Sequence, residues 1–390
     1  MSLIFPRLAQ NFIKNGYFPT DEVTLARILQ ALDIGGGQLR ILDPCCGEGT
    51  ALAEVKHHLV QCGASVVANG IEFDAERAWH AKGTHLLKAL YAACAVTVGE
   101  DKEKSYALKL RNVFSPYEGR MGRLARRQST SVKAKVAVTR AGGAKLSAEF
   151  SNHTNKPEDV KVTGEPAWKK SELASAYIPV KEMLAHAPGF LATAAKREIA
   201  FEEVYTDIIK RAFLPRLMGP TDKNRQRLLT ALQKAIDGKV VAKGEHFFLK
   251  NQQGDLEFTL LAEGMRKLAL VWLLIQNGTL LSGSILFWDE PEANLNPALM
   301  GEVVEVILEL QRLGVQVFLT THNYVLLKEF DLRKQKDDAI RYLSLFRDES
   351  GAVTSNASDS YLGVDPNAIA STFSDLYDRE IKRGLGVIKV

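Results

Sequence analysis

Two adjacent carboxylates, Asp289 and Glu290, follow the apolar run Ile-Leu-Phe-Trp at residues 285–288. Four apolar residues bounded by charge are typical of a strand that is buried on both faces. The carboxylates would then lie at the C-terminal end of the strand, where open α/β sheets bind ligands. One carboxylate in such a place can bind Mg²⁺, and the next can polarise an attacking water molecule. A strand that merely ends in a charged turn is the alternative interpretation.

The segments on either side of this pair carry further groups suited to phosphate chemistry. Upstream, residues 261–267 contain Gly264 and precede an apolar helical pattern. A glycine lets the backbone approach an anion closely, and the N terminus of the helix would point its N–H groups at that anion. Downstream, residues 315–319 predict a second strand that brings His322 to the same edge of the sheet. That histidine can contact a terminal phosphate or position water; a surface or capping role is the alternative.

The order and spacing of these segments resemble the ATPase core shared by ABC, SMC, RecF and OLD-type proteins. LAEGMRK at 261–267 is similar to the signature segment, and ILFWDE at 285–290 is similar to Walker B. PEANLNP at 291–297 resembles the D-loop region, and TTHN at 320–323 resembles the switch histidine. The resemblance runs from about residue 84 to near the C terminus. It implies an α/β fold of the P-loop NTPase type, a three-layer Rossmann-like sheet with helices on both faces.

The same resemblance implies ligands, a partner and roles for individual residues. ATPase heads of this kind bind ATP and Mg²⁺ between two copies, which implies a homodimer arranged head to tail. Asp289 would bind Mg²⁺, Glu290 would be the general base and His322 would contact the γ-phosphate. The residues of the signature segment that would reach the nucleotide of the partner are Glu263, Gly264, Arg266 and Lys267.

The phosphate-binding loop of such ATPases, G-x-x-x-x-G-K-[ST], is missing from this sequence. Its nearest counterpart is AKGTH at residues 81–85, in which Thr84 stands at the position of the Mg²⁺-binding threonine. Lys82 is displaced by one residue, and Gly83 occupies the lysine position. Without the lysine and the glycine cradle, contacts to the β- and γ-phosphates are lost, which predicts impaired ATP binding and hydrolysis.

One arrangement could compensate for this loss. Residues 66–73, 74–83 and 84–95 predict a strand, a loop and a helix, which is the topology of a phosphate-loop unit. The substitute strand could complete the ATPase sheet even though its loop offers poor phosphate chemistry.

A second candidate site lies near the N terminus. Residues 39–50 predict a strand that enters a turn at Gly47 and Gly49, and a second strand ends near Glu72, whose carboxylate can accept hydrogen bonds from a ribose. DPCCGEGT and GIEFD resemble motifs I and II of S-adenosylmethionine-dependent methyltransferases of the N6-adenine type, over about residues 4–82. This resemblance implies that S-adenosylmethionine is bound by Asp43, Gly47, Gly49 and Glu72.

The catalytic [DN]-P-P-[YF] loop of adenine methyltransferases is not found in the sequence. Ser115-Pro116-Tyr117 lacks the first residue and one proline, so an ordinary turn is the preferred interpretation. Both resemblances break near residues 82–84. The sequence therefore predicts a partial methyltransferase-like domain over residues 1–82 and an ABC/OLD-like ATPase domain over residues 83–390.

Composition favours a soluble globular protein, with 46% hydrophobic and 25% charged residues in 390. Four cysteines without metal-binding spacing suit a reducing cytoplasm. We find neither a secretion signal nor an apolar run that could span a membrane, and we therefore expect a cytoplasmic protein without a membrane partner.

Charge is concentrated in one region, since residues 101–170 hold 16 Lys and Arg against 7 Asp and Glu. Alternating patterns predict a basic, β-rich insertion over about residues 101–175. A basic lobe can bind the phosphates of DNA. A solvated insertion without a ligand is the alternative.

Three functions therefore compete. The leading hypothesis is an ATPase that acts in DNA transactions or in defence against mobile elements, together with an effector protein that the sequence does not identify. A methyltransferase-like protein that binds S-adenosylmethionine is the second. A non-catalytic remnant of two fused genes is the third.

Overall fold

The computed structural model describes the backbone of residues 38–43, 65–70 and 74–82, and it describes residues 83–125, 130–197, 201–219, 222–347 and 353–385 in full. The chain divides into two compact units, Met1–Ala81 and Lys82–Val390. In the first unit, strands β1 (Gln38–Asp43) and β2 (Ser65–Gly70) form a parallel pair.

Most of the described structure belongs to the second unit. The helices of the described residues are α1 (Asp74–Ala95), α2 (Tyr106–Phe114), α3 (Glu165–Trp168), α4 (Phe190–Arg197), α5 (Glu203–Ala212), α6 (Lys223–Ala235), α7 (Glu263–Gln276), α8 (Met300–Arg312), α9 (Tyr324–Arg333) and α10 (Ala368–Gly384). None of them is both long enough and apolar enough to cross a lipid bilayer. The remaining strands are β3 (Lys133–Thr139), β4 (Lys145–Ser151), β5 (Lys161–Thr163), β6 (Ser175–Ile178), β7 (Lys239–Lys243), β8 (His246–Asn251), β9 (Gly254–Glu257), β10 (Ile285–Asp289), β11 (Gln316–Thr320), β12 (Tyr342–Arg347) and β13 (Val353–Ser358).

A parallel sheet with the strand order β11-β10-β6 lies at the centre of this unit. The middle strand β10 is buried along its whole length, as its continuous apolar run predicts. Leu286 and Trp288 belong to one hydrophobic core, and Phe287 belongs to another. Because successive side chains of a strand point to opposite faces, the sheet separates two apolar layers. The mixed α/β class predicted from the sequence is confirmed.

The two layers are built from different elements. Helices α5, α6, α7 and α8 contribute apolar side chains to the core that contains Trp288. The core that contains Phe287 receives apolar side chains from α1, α2 and β4. Each large apolar side chain that becomes fully buried contributes about 1.5–3 kcal/mol. The sheet that carries the site is therefore fixed from both sides.

Among the described residues, three antiparallel sheets accompany the central one, and the smallest is the pair of β12 and β13. Strands β3, β4 and β5 form the first, within the basic segment that the sequence predicts to be β-rich. Strands β7, β8 and β9 form the second. Strand β7 pairs with β8 from Lys239 to Lys243.

Helix α1 differs from the expectation at the break between the two resemblances. Residues 74–83 are predicted to form a loop, but α1 begins at Asp74 and continues to Ala95. The segment Asp-Ala-Glu-Arg-Ala-Trp-His-Ala-Lys contains neither glycine nor proline, and most of its residues are good helix formers. Local helix propensity therefore outweighs the loop that the family topology requires.

Candidate functional site

Asp289 is the last residue of β10, and three other segments converge on its buried carboxylate. Its Oδ1 accepts hydrogen bonds from the hydroxyls of Thr84 (2.8 Å) and Thr320. Its Oδ2 accepts a hydrogen bond from the phenol of Tyr177, at 3.0 Å. Thr320 reaches this place because it pairs with Asp289 in the parallel register of β10 and β11. The C-terminal edge of the sheet, where the sequence predicts the site, therefore holds a cluster of oxygen atoms.

Tyr177 is a partner of Asp289 that the sequence analysis missed. Burial, and then the nearby charge of Asp289, raise the pKa of its phenol well above the ordinary value. The hydroxyl therefore keeps its proton and donates a hydrogen bond to the carboxylate. Tyr177 lies in β6, which is distant in sequence and joins β10 only through the parallel pairing. Hydrogen bonds of this kind offset the cost of burying a carboxylate.

The oxygen atoms at this edge suit Mg²⁺. Carboxylate and hydroxyl oxygens are hard ligands, the type that this ion prefers. Thr84 lies in α1 and is only partly buried. Its hydroxyl donates a hydrogen bond to Asp289, and the lone pairs of the same oxygen stay available for a metal ion. The position predicted for a magnesium-binding threonine is thus beside the predicted magnesium-binding carboxylate.

The neighbourhood of Thr84 does not form a phosphate cradle. Within α1, the backbone N–H groups that would face a phosphate are hydrogen-bonded to carbonyls four residues earlier. A Cβ atom on Gly83 would lie 2.6 Å from Cγ2 of Thr320, so the residue before Thr84 must be small. This contact explains the glycine at the lysine position. The side chain of Lys82 lies outside the described residues.

Lys88 is one turn beyond Thr84 on α1 and is the next candidate for a phosphate-binding lysine. Its ammonium is bound to Oε1 of Glu202 at 2.7 Å, and the residue is buried. In this conformation its charge is therefore already balanced within the chain.

Glu290 follows Asp289 at the start of a tight turn. Its backbone φ is +47°, in the left-handed region that residues other than glycine rarely adopt. Its N–H donates to the carbonyl oxygen of Thr320 at 3.1 Å, which ties the turn to the end of β11. The residue is partly exposed, as a group that activates water must be.

His322 follows β11 and lies beside a carboxylate that the sequence analysis did not single out. Its backbone N–H donates to Oε1 of Glu292 at 3.2 Å, and its Nδ1 lies 3.6 Å from the same oxygen. The hydroxyl of Thr321 donates to this oxygen at 2.7 Å. Burial raises the pKa of Glu292, and these donors act against that rise. The proline-bounded turn that carries Glu292 was the signal available in the sequence.

The signature segment, residues 261–267, makes several contacts within its own chain. Lys267 is buried, and its ammonium donates to the carbonyl of Ala293 at 2.8 Å. Arg266 donates to the carbonyls of Phe258 and Leu261, each at 3.1 Å, and its Nε lies 2.8 Å from Oε2 of Glu182. Both side chains therefore bind groups of their own chain, and their contact with the nucleotide of a partner stays a prediction.

For Gly264 and Glu263 the contact with the nucleotide of a partner also stays a prediction. Gly264 is buried, and a Cβ atom there would lie 2.7 Å from Cδ1 of Leu295, so its requirement is close packing within the chain. Glu263 is partly exposed. Its carboxylate accepts from the backbone of Glu182 at 3.1 Å and from Nδ2 of Asn294 at 2.8 Å.

The predicted residues of the second site cannot be placed in the same way. Asp43 ends β1, and only its backbone is described. Gly47, Gly49 and Glu72 lie outside the described residues.

Comparisons with known proteins give two separate family matches. Residues 139–328 match the family described as "AAA domain, putative AbiEii toxin, Type IV TA system". Residues 2–110 match the "Uncharacterised methyltransferase family (DUF6094)". This second match extends beyond residue 82 and includes Thr84, so the hydrogen bond to Asp289 is what connects Thr84 to the AAA segment. No curated protein matches the chain.

Several solved structures of SMC heads are similar to the chain at low identity. The SMC head domain from Thermotoga maritima has 10% identity and a TM-score of 0.31, covering 58% of this chain and 74% of that one. An SMC head bound to the C-terminal winged-helix domain of ScpA has 9% identity and a TM-score of 0.39, covering 71% and 86%. An SMC head with an extended coiled coil, bound to the C-terminal domain of ScpA derived from Pyrococcus furiosus, has 8% identity and a TM-score of 0.36, covering 78% and 91%.

The two family matches agree with the two family resemblances found in the sequence. The segment that contains Asp289, Glu290 and His322 lies within the AAA match, whereas Asp43 lies within the methyltransferase match. The C-terminal part of the chain thus matches an AAA domain family, and its N-terminal part matches a methyltransferase family.

Proposed function

We propose that the second unit binds Mg²⁺-ATP at the C-terminal edge of the β11-β10-β6 sheet and hydrolyses it to ADP and phosphate. The observation that supports this most directly is the hydrogen bond between Thr84 and Asp289, because it joins a hydroxyl and a carboxylate across 205 positions of sequence. A pair of hard oxygen ligands at the end of a central strand is where a nucleotide-bound Mg²⁺ would be held.

Each residue of the site has a distinct role in this proposal. Thr84 and Asp289 hold Mg²⁺, which neutralises the charge that develops on the phosphates. Glu290 accepts a proton from the attacking water, since it is a partly exposed carboxylate next to the metal ligand. His322 contacts the terminal phosphate from the adjacent strand end, and Glu292 holds its backbone.

The second half of the nucleotide site would come from another copy of the chain. Glu263 and Arg266, both partly exposed, are the members of the signature segment that we assign to this contact. Without a glycine cradle, one copy offers few donors to the phosphates, so we expect weak binding by a monomer and stronger binding by a homodimer. ATP-dependent dimerisation, measured by analytical ultracentrifugation, tests this part.

Isothermal titration of Mg²⁺-ATP into the wild-type chain and into Asp289→Asn tests the site itself. Asparagine keeps the shape but removes the charge that attracts the metal, so we expect measurable binding only for the wild type. Equal binding by both proteins would place the nucleotide elsewhere and refute the proposal. Circular dichroism of both proteins verifies that the substitution leaves the fold intact.

A second candidate function is suggested by the methyltransferase match at residues 2–110. We propose that the first unit binds S-adenosylmethionine next to the end of β1, with Asp43, Gly47, Gly49 and Glu72 as ligands. The parallel pairing of β1 and β2 supports this, because such pairs bind nucleotide-like cofactors at their C-terminal ends. Binding of S-adenosylmethionine that disappears in Glu72→Ala would support the assignment; equal binding by that variant would refute it.

The same matches support a proposal for the cellular setting. The description of the family that matches residues 139–328 names a toxin of a type IV toxin–antitoxin system. We propose that the chain acts in the cytoplasm in defence against mobile elements, with DNA bound by the basic segment and with an effector protein. Growth arrest on expression of the wild type, but not of Glu290→Gln, is the expected result. Arrest by both proteins would separate toxicity from hydrolysis.

A further inference from the structure

The turn after β10 contains two backbone conformations that need support. Glu290 has a φ of +47° and Asn294 a φ of +59°, both in the left-handed region. Such a conformation is unfavourable for most residues other than glycine, although asparagine adopts it more readily than glutamate, and it persists where neighbouring groups hold it. The N–H of Ala293 donates to the carbonyl of Glu290, and the N–H of Leu295 donates to that of Glu292, each at 3.0 Å. These bonds within the turn cannot by themselves fix its position on the molecule.

We infer that Lys267 is a positioning residue for Glu290 and that the first turn of α7 clamps residues 290–295. The inference rests on the proposed hydrolysis. It gives the signature segment, residues 261–267, a role within its own subunit. We call the three side-chain positions Glu263, Gly264 and Lys267 the α7 clamp.

Lys267 makes the central contact of the α7 clamp. The residue is 1% exposed, and its ammonium donates to the carbonyl of Ala293 at 2.8 Å and lies 3.4 Å from the carbonyl of Glu290. Burial lowers the pKa of this ammonium, and the nearby carboxylates of Glu263, Glu292, Glu290 and Asp289 act against that shift. A buried cation is kept only where it has partners, and here the hydrogen-bonding partners are backbone carbonyls of the turn.

Two further contacts of the α7 clamp act on the far end of the turn. The carboxylate of Glu263 accepts a hydrogen bond from Nδ2 of Asn294 at 2.8 Å, so it holds the second left-handed residue. Gly264 packs against Leu295 so closely that an added Cβ would lie 2.7 Å from its Cδ1 and 3.1 Å from its Cα. Glu263, Gly264 and Lys267 together thus touch both ends of the turn.

The clamp links two parts of the proposed mechanism. If the turn relaxed, the backbone of Glu290 would leave the left-handed region, and its carboxylate would be redirected relative to Asp289. A contact made on the exposed part of Glu263 would be transmitted through the same helix turn to Glu290. Binding of a second subunit at α7 would therefore set the position of the general base in the first.

Hydrogen exchange tests the clamp without any need for nucleotide. The probes are the amides of Ala293 and Leu295, whose hydrogen bonds lie within the turn. In Lys267→Met, which keeps the length of the side chain but removes the ammonium, we expect these amides to exchange at least tenfold faster. Gly264→Ala, which pushes Leu295 away from α7, is expected to give the same change by a different route.

Arg225→Met is the matched control. Arg225 is also a buried cation, and it binds the carbonyls of Ile275 and Gln276 at the opposite end of α7. Its loss should loosen that end and leave the exchange of Ala293 and Leu295 within twofold of the wild type. Unchanged exchange in Lys267→Met would overturn the inference, as would equal acceleration in Arg225→Met.

Steady-state kinetics separates a failure of the clamp from a failure of the proposed function. If the wild type hydrolyses ATP, we expect Lys267→Met to lower kcat at least tenfold and to change KM by less than threefold, because the base moves while the nucleotide ligands remain. An equal loss in kcat and binding would contradict a positioning role. If the wild type shows no turnover, the proposed hydrolysis fails, and the exchange experiment alone decides whether Lys267 holds the turn.

Discussion

Replacing Thr84 by valine tests whether its hydroxyl is a metal ligand or only a partner of Asp289. Valine has nearly the same shape, so the substitution removes the 2.8 Å hydrogen bond to Oδ1 and little else. A hydrogen bond to a charged acceptor contributes about 1.5–3 kcal/mol, and Asp289 keeps the donors Thr320 and Tyr177. We therefore expect a loss of unfolding free energy near the lower end, about 1.5 kcal/mol.

Thr320→Val is a matched control, because Thr320 donates to the same oxygen of Asp289. A similar loss of stability is expected from it. If Thr84 binds Mg²⁺ and Thr320 does not, then only Thr84→Val should weaken Mg²⁺-ATP binding by tenfold or more, a change of about 1.4 kcal/mol. Thr320→Val should stay within about threefold, which is roughly 0.6 kcal/mol.

Isothermal titration with and without Mg²⁺, together with urea unfolding, measures both quantities. The expected pattern is similar destabilisation by the two variants and a Mg²⁺-dependent loss of affinity for Thr84→Val alone. Equal affinities for the two variants would show that the Thr84 hydroxyl serves only Asp289, and the reasoning about the metal site would be refuted.

Further predictions concern neighbouring positions. Gly83→Lys should not restore ATP binding and should lower the melting temperature, since a Cβ there would lie 2.6 Å from Thr320; a gain in affinity would contradict this. Glu292→Gln should flatten the pH dependence of stability. Burial raises the pKa of Glu292, so above the ordinary value of about 4.3 the native state binds more protons than the unfolded state, and stability falls as the pH rises towards the raised value. Melting curves of the two proteins from pH 4 to 8 check this, and parallel curves would contradict it.

The parts of the site that follow β10 and β11 could be predicted from sequence because short-range patterns carry them. The apolar run at 285–288 predicts a buried strand, and Asp289 and Glu290, which follow this run, must therefore lie at the edge of the sheet. Thr320 ends the next strand, which comes after one helix, and His322 lies just beyond it. Both therefore reach the same edge of the sheet through the usual βαβ connection. The order of the chain contains this information.

Other parts of the site depend on pairings that the sequence does not display. Tyr177 reaches Asp289 only because β6 pairs with β10, more than a hundred residues away in the chain. The burial of Lys267 was hidden for a related reason. A lysine at a helix start is usually solvated, and here the turn at residues 290–295 folds over it. In α1, helix propensity and family topology disagreed, and the propensity of residues 74–82 decided the outcome.

Turnover of Mg²⁺-ATP by the purified chain, beside Glu290→Gln, tests the central claim most directly. Glutamine keeps the size of the side chain and the contacts of the turn, but it cannot accept the proton of the attacking water. We predict saturable binding by both proteins and release of phosphate by the wild type alone. Full turnover in Glu290→Gln would remove this residue as the base. An absence of nucleotide binding in the wild type would contradict the account as a whole.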